Sequence, residues 1–245
     1  MPLRILVFAK APRAGSAKTR LIPALGTQGA ARLARHMLDD ALARAHAAAL
    51  GPVTLLVTPD DDPFWDRYEM PPGAARIGQG DGDLGGRMAR AAERTLARGE
   101  PVLLIGTDCP ALDVSILRRI AHEMAHADAV LVPAHDGGYV ALALHRFDAS
   151  IFSGIEWGTA SVADATRVRL VRLGWTVREL PALQDVDEPE DLRHIPPAWT
   201  QENVFHQSLD NHPPDRVTNA ASAPTKSNSG AQPCIPSSRT ITANN

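Results

Sequence analysis

Cysteine is scarce in this chain. Its 245 residues hold two, Cys109 and Cys234. They lie in unlike contexts and do not make a disulfide framework, so a reducing cytoplasm is the expected compartment. Long hydrophobic runs are also missing. No stretch reaches the ~18 apolar residues from which a membrane span is read. The N-terminus passes from one apolar run straight into a basic loop, which is not the pattern of a signal peptide. Excess positive charge is lacking as well. Lys and Arg number 25 against 28 Asp and Glu, for a net charge of −3, which argues against general nucleic-acid binding. Internal repeats are absent. What remains, 44% hydrophobic and 22% charged residues, fits a globular protein with one sizeable core or two small ones.

Charge is nevertheless local. The first 38 residues contain seven Lys or Arg and no Asp or Glu. Four of the seven, Lys10, Arg13, Lys18 and Arg20, sit in the stretch from Phe8 to Leu21. An apolar run, Leu3 to Phe8, precedes that loop and reads as a buried strand. An Ala-rich segment follows and reads as a helix. The carboxyl end of a strand in an open α/β sheet is where phosphorylated ligands bind. Gly15 lets backbone N–H groups approach phosphate oxygens closely, and the cations neutralise the charge. A P-loop is excluded, because that motif needs Gly and Lys adjacent. Here Ser16 and Ala17 separate Gly15 from Lys18.

Further along, short β-rich runs alternate with helical patterns. Strands are expected at Val53–Val57, Val102–Ile105, Ala129–Val132, Tyr139–Leu144 and Trp175–Leu180. Helices are expected at Gln28–Leu50, Leu84–Arg98, Val114–Ala125 and Ala160–Leu173, the last ending at Gly174 as a C-cap. This alternation implies a parallel or mixed sheet covered on both faces. Near residue 200 the composition shifts to Ser, Thr, Asn, Pro and Ala with few apolar residues. Residues 1–199 are therefore expected to form the domain, and 200–245 a disordered tail.

Four segments can carry chemistry. The apolar run Val102–Ile105 ends in Gly106-Thr107-Asp108. A carboxylate at the end of a central strand suits Mg²⁺, which prefers oxygen ligands and bridges to phosphates. An ordinary turn aspartate would look the same. Cys109 beside it lacks a base and reads as a small buried side chain. Asp136-Gly137-Gly138, before Tyr139, is a hairpin turn signal whose backbone a ligand could approach, with Asp136 as a polar contact. Asp185 and Asp187 alternate and share a side if extended. They suit a shared Mg²⁺, although Asp187 is also placed to cap a helix starting near Pro189. Gly80 to Arg87 is a glycine-rich loop opening a helix, and Arg87 offers a further phosphate or nucleotide contact.

Taken in order, these motifs resemble the selenodomain-associated transferase 1 family of the nucleotide-diphospho-sugar transferase superfamily. The resemblance rests on Phe8-Ala-Lys-Ala-Pro12 with Gly15 and Lys18-Thr-Arg-Leu21, then Leu84-Gly-Gly-Arg-Met88 and Gly106-Thr-Asp-Cys-Pro110. It continues through Pro133-Ala-His-Asp-Gly-Gly-Tyr139, Ile155-Glu-Trp-Gly-Thr159, and Asp185-Val-Asp187 with Glu190-Asp-Leu192. It implies a GT-A type fold, a three-layer α/β/α sandwich with a mostly parallel sheet, a nucleotide over the sheet, and a divalent metal on Asp108. The related motif carries threonine where this chain has Glu188.

The resulting expectation is a cytoplasmic, Mg²⁺- or Mn²⁺-dependent transferase. Lys18 and Asp108 would be catalytic. Lys10, Gly15, Lys18, Arg20 and Arg87 would bind phosphates or nucleotide, and Asp108 and Asp187 the metal. Asp136, Gly137, Gly138 and Tyr139 would contact a small acceptor. Nucleotidyl transfer from an NTP leads, because three phosphates and a departing pyrophosphate demand many cations. Glycosyl transfer from a nucleotide-sugar is the alternative. A non-catalytic nucleotide-binding module would keep the basic loop but would not need Asp108 and Asp187 together. A haloacid-type hydrolase is discounted, because its nucleophilic aspartate belongs where this chain has Phe8 and Ala9.

Overall fold

A computed structural model describes residues 2–201. Of the tail expected at 200–245, positions 202–245, with Cys234, lie outside the described residues, and positions 200 and 201 belong to the helix Pro197–Gln201. Seven strands form one sheet: β1 (Arg4–Lys10), β2 (Val53–Thr58), β3 (Ala75–Gly78), β4 (Val102–Ile105), β5 (Ala129–Pro133), β6 (Tyr139–Leu144) and β7 (Val177–Glu179). The spatial order is β3-β2-β1-β4-β6-β5-β7. Strands β1 to β4 run parallel, β6 is antiparallel to β4 and β5, and β7 is parallel to β5. The sheet is thus mixed and mostly parallel, with β5–β6 as its one adjacent hairpin.

Both faces are covered, as continuous apolar strands require. On one side lie α1 (Ile22–Ala48) and α4 (Val114–Glu123), packing Leu38, Leu42, Leu117 and Ile120 onto Ile5, Val7 and Leu103. On the other lie α3 (Leu84–Leu96) and α5 (Val162–Arg172), packing Met88, Ala92 and Leu170 onto Leu6, Leu104 and Leu142. Labels α2 and α6 denote the short helices Phe64–Arg67 and Pro197–Gln201. Helix starts follow the side chains available. Asp83 accepts the Gly86 N–H at 2.8 Å and Asp113 the Ile116 N–H at 2.9 Å, each satisfying a donor that has no partner within its helix.

Three details differ from the sequence expectations. Helix α1 begins at Ile22 rather than Gln28, because Gly26 (φ 68°, ψ 168°) joins two helical pieces across a kink. Edge strand β3 was not expected, since Ala75, Arg76 and Ile77 are all exposed and give no alternation. Asp187 does not cap the helical turn Pro189–His194. Glu188 holds the cap position, and Asp191 binds back onto the Glu188 and Asp187 N–H groups at 2.8 and 3.1 Å.

Candidate active site

Strand order reverses between β1 and β4. Chains leaving these two strands diverge, which opens a crevice at their carboxyl ends. Lys10 ends β1 on one side of it, and Gly106-Thr107-Asp108 follows β4 on the other. Gly106 matters for shape. A Cβ there would stand 2.8 Å from Asp108 Oδ1, so glycine lets the carboxylate fold back over its own strand end.

The C-terminal carboxylates arrive by backbone pairing. Ala134, just past β5, bridges Leu183 in parallel. The Leu183 N–H donates to Pro133 O at 2.9 Å, and the Val186 N–H to Asp108 O at 2.9 Å. Val186 is fully buried against Leu21 and Leu33. Residues 183–187 are thereby laid across the strand ends with Asp185 and Asp187 flanking a buried anchor.

At the centre stands Lys18. Its ammonium lies 2.5 Å from Asp187 Oδ1 and 3.5 Å from Asp108 Oδ2. Those two contacts cap the separation of the carboxylate oxygens at 6.0 Å. The Lys18 side chain is 13% exposed, whereas Asp108 and Asp187 are 39% and 36% exposed. Burial pushes the Lys18 pKa down, but the Asp108 and Asp187 charges and hydrogen bonds outweigh it and hold the group above the ordinary lysine range. Lys18 is therefore a firmly charged cation. Its backbone is left-handed (φ 45°, ψ 49°), a conformation costly for a side chain with a Cβ. Asp185 lies beside the pair and is 8% exposed. Burial, reinforced by the charges of Asp136, Asp108 and Asp187, raises its pKa to about 6.

The side chains of the other expected phosphate ligands are each partnered. Lys10 Nζ donates to Ser16 O at 2.8 Å and closes the loop. Gly15 (φ 81°) faces open space. Arg13 pairs with Asp62 at 2.6 Å, and Arg20 with Glu188 at 3.3 Å. Arg87 sits above β2, donating to Gly82 O at 2.8 Å and Thr58 Oγ1 at 3.1 Å. Thus Lys18, Asp108 and Asp187 meet directly, while Lys10, Arg20 and Arg87 are held by other partners.

Asp136, Gly137, Gly138 and Tyr139 form the turn into β6, with Asp136 Oδ1 accepting the Gly138 N–H at 2.8 Å. Gly137 has φ 88°, and a Cβ there would stand 2.1 Å from Ala160 O, so no other residue fits. Asp136, Gly138 and Tyr139 line a cavity of about 200 Å³ that reaches Asp108. Its walls include Phe8, Leu84, Met88, Trp157 and Val162, which single-site reasoning missed. The Ile155–Thr159 motif was the signal available. Gln79 was missed too: its buried amide donates to Ala9 O and Leu56 O at 3.1 and 2.8 Å, tying the ends of β1 and β2. Cys109 is buried, its thiol pushed up to about 12 chiefly by that burial, so it supplies no nucleophile.

A family profile described as "Uncharacterized protein conserved in bacteria (DUF2064)" matches residues 41–159. The crystal structure of a candidate nucleotide-diphospho-sugar transferase from Desulfovibrio desulfuricans is 30% identical, covers 84% of this chain and 90% of that one, and superposes with a TM-score of 0.74. The chain belongs to the DUF2064 family. More distant structures share the fold of this DUF2064 protein. They include a cytidylyltransferase from Leptospira borgpetersenii (16% identity, covering 78% and 84% of the two chains, TM-score 0.53). Another is CMP:2-keto-3-deoxy-manno-octonic acid synthetase complexed with CTP (14% identity, covering 82% and 100%, TM-score 0.50). No curated protein matches the sequence. The fold is that of GT-A-like and nucleotidyltransferase structures. Among the described residues no helix is long and apolar enough to cross a membrane.

A divalent metal can be tested against the donors present. Among the described residues no three His, Cys, Asp or Glu side chains cluster at metal-binding spacing. Two carboxylates on one cation do occur, and Mg²⁺ usually takes one or two carboxylates with phosphates and water completing its shell. Asp108 and Asp187 therefore fit Mg²⁺ or Mn²⁺ held jointly with a phosphorylated ligand.

Proposed function

We propose that this protein transfers a nucleotidyl group from an NTP to a small acceptor and releases pyrophosphate. The observation carrying this reading is the Lys18 ammonium held between Asp108 and Asp187 in the crevice between β1 and β4. An acceptor oxygen would attack the α-phosphorus, and the bond to the bridging oxygen of the leaving pyrophosphate would break. Lys10, Lys18, Arg20 and Arg87, with the backbone at Gly15, would bind the phosphates and the nucleotide. Each must exchange its present partner for a phosphate oxygen. Asp108 and Asp187 would hold the divalent metal, which supplies charge neutralisation on the phosphates. Asp136 and the turn to Tyr139 would receive the acceptor. Within the family, the motif set supports the selenodomain-associated transferase 1 group.

Glycosyl transfer from a nucleotide-sugar is the second reading. Its support is the cavity with Tyr139 and Trp157 in its wall that touches Asp108, which would receive the donor sugar. A thermal-shift panel of NTPs and nucleotide-sugars, each with Mg²⁺, separates the two, because a ligand that binds the native state raises its melting temperature. Stabilisation by an NTP, followed by acceptor-dependent pyrophosphate release, is the expected result. Stabilisation by nucleotide-sugars alone would transfer the assignment to glycosyl transfer. No shift with either would end the nucleotide reading.

A further inference from the structure

Asp108 divides the crevice into chemically unlike halves. Over β1 and β2 lie Lys10, the loop to Arg20, and Arg87. Over β4 and β6 lies the cavity of about 200 Å³. Its wall is built from Phe8, Leu84, Met88, Tyr139, Trp157 and Val162, its charged lining residues are Asp108 and Asp136, and no Lys, Arg or His contributes to it. A phosphorylated or carboxylated group inside the cavity would meet Asp136 and an apolar wall, with Lys18 on the far side of Asp108. Such a group is disfavoured by repulsion and by the loss of its hydration.

The wall is apolar and aromatic. Tyr139 and Trp157 meet edge to face with centroids 6.3 Å apart. Tyr139 Oη lies 3.7 Å from Met88 Sδ, and burial raises its pKa, so the phenol stays a neutral donor. The Trp157 indole N–H is buried without a hydrogen-bond partner. A polyhydroxylated ring would leave most of its hydroxyls unpaired against Phe8, Leu84, Met88 and Val162. An apolar cavity of ~150 Å³ is known to take a benzene ring, so this one accommodates a body about the size of one six-membered ring. The ionised side chains that line it, Asp108 and Asp136, accept a hydrogen bond from a hydroxyl or from an ammonium.

We infer that the acceptor is an alcohol without negative charge, its hydroxyl carried on a compact apolar body of about one ring. This inference rests on the nucleotidyl-transfer reading for the role of the cavity, and on the cavity alone for the chemistry of its ligand.

The test is binding of probes to the full-length protein, with and without saturating Mg²⁺–CTP, read by ligand-observed NMR. Benzyl alcohol, phenyl phosphate, benzylamine and glucose share or vary the ring, charge and hydroxyl count. Benzyl alcohol and benzylamine should each bind at least tenfold more tightly than phenyl phosphate or glucose. Leu84→Asp places a charge in the wall at a 44% exposed position in the first turn of α3, where an acidic residue favours the helix. It should weaken benzyl alcohol tenfold or more with the melting temperature unchanged. Tighter binding of phenyl phosphate or glucose would overturn the inference. Equal binding of benzyl alcohol to the parent and Leu84→Asp proteins would overturn it too. Stabilisation by CTP without benzyl alcohol binding would sink this inference and leave the nucleotide reading standing. Benzyl alcohol binding with no NTP stabilising the protein would remove the acceptor role along with that reading.

Discussion

Replacing Lys18 by methionine removes the buried charge while keeping a similar unbranched volume. Asp108 and Asp187 would then face each other across at most 6.0 Å, with Asp185 beside them and no cation between. Removing one partner of a fully buried ion pair costs ~3–5 kcal/mol, while exposed pairs contribute ~0–1 kcal/mol. Here the lysine is 13% exposed and the aspartates 39% and 36%, so water screens the carboxylates but not the ammonium. An intermediate loss of about 1–2 kcal/mol follows, or roughly 2–8 °C in Tm for a domain of this size. The variant should also acquire a response that the parent lacks. Vacated carboxylates can take Mg²⁺, and for a Kd of ~1 mM, ~10 mM Mg²⁺ returns about 1.4 kcal/mol. The assay is urea unfolding of both proteins with and without Mg²⁺, in the absence of nucleotide. Lys18→Met should lose stability without Mg²⁺ and recover most of it with Mg²⁺, while the parent changes little. A variant as stable as the parent and indifferent to Mg²⁺ would refute the clamped-lysine geometry.

Two further outcomes follow from the same region. Asp185 has its folded pKa raised from 3.8 to about 6, so between those values the folded state holds more protons than the unfolded one and stability falls as pH rises. The contribution is about 3 kcal/mol at ~1.4 kcal/mol per pKa unit. Asp185→Asn should therefore be more stable than the parent at pH 7, with the difference shrinking towards pH 4 in urea melts; a gap that instead widens on acidification would contradict the assignment. Gly137→Ala should destabilise by more than ~2 kcal/mol, because the new Cβ meets Ala160 O at 2.1 Å in a left-handed backbone; a thermal melt matching the parent would show that this turn is not held against α5.

Several features of the molecule were legible in the sequence because they are local. Val102–Ile105 is a continuous apolar run, so a central buried strand with Asp108 at its end follows from composition and chain direction alone. The basic loop between β1 and α1 is equally local, as is the Asp113 cap of α4. Edge strand β3 was illegible, since its backbone hydrogen bonds to β2 hold it while its side chains stay in water. The extended start of α1 was hidden by Gly26, whose backbone breaks the helical pattern without ending the element. Partner choice also lay beyond the sequence. Arg20 is drawn to Glu188 and Arg87 to the end of β2, and nothing in either motif names those partners. Most of all, Lys18 and Asp187 are 169 positions apart in sequence. Their meeting depends on the Ala134–Leu183 bridge, the Val186 bond to Asp108 and the burial of Val186 under Leu21. Residue types and strand order determined which groups were available and at which end of the sheet. Only tertiary packing decided that one buried ammonium would sit between two carboxylates, because that contact is set by where the chain returns and not by any pattern along it.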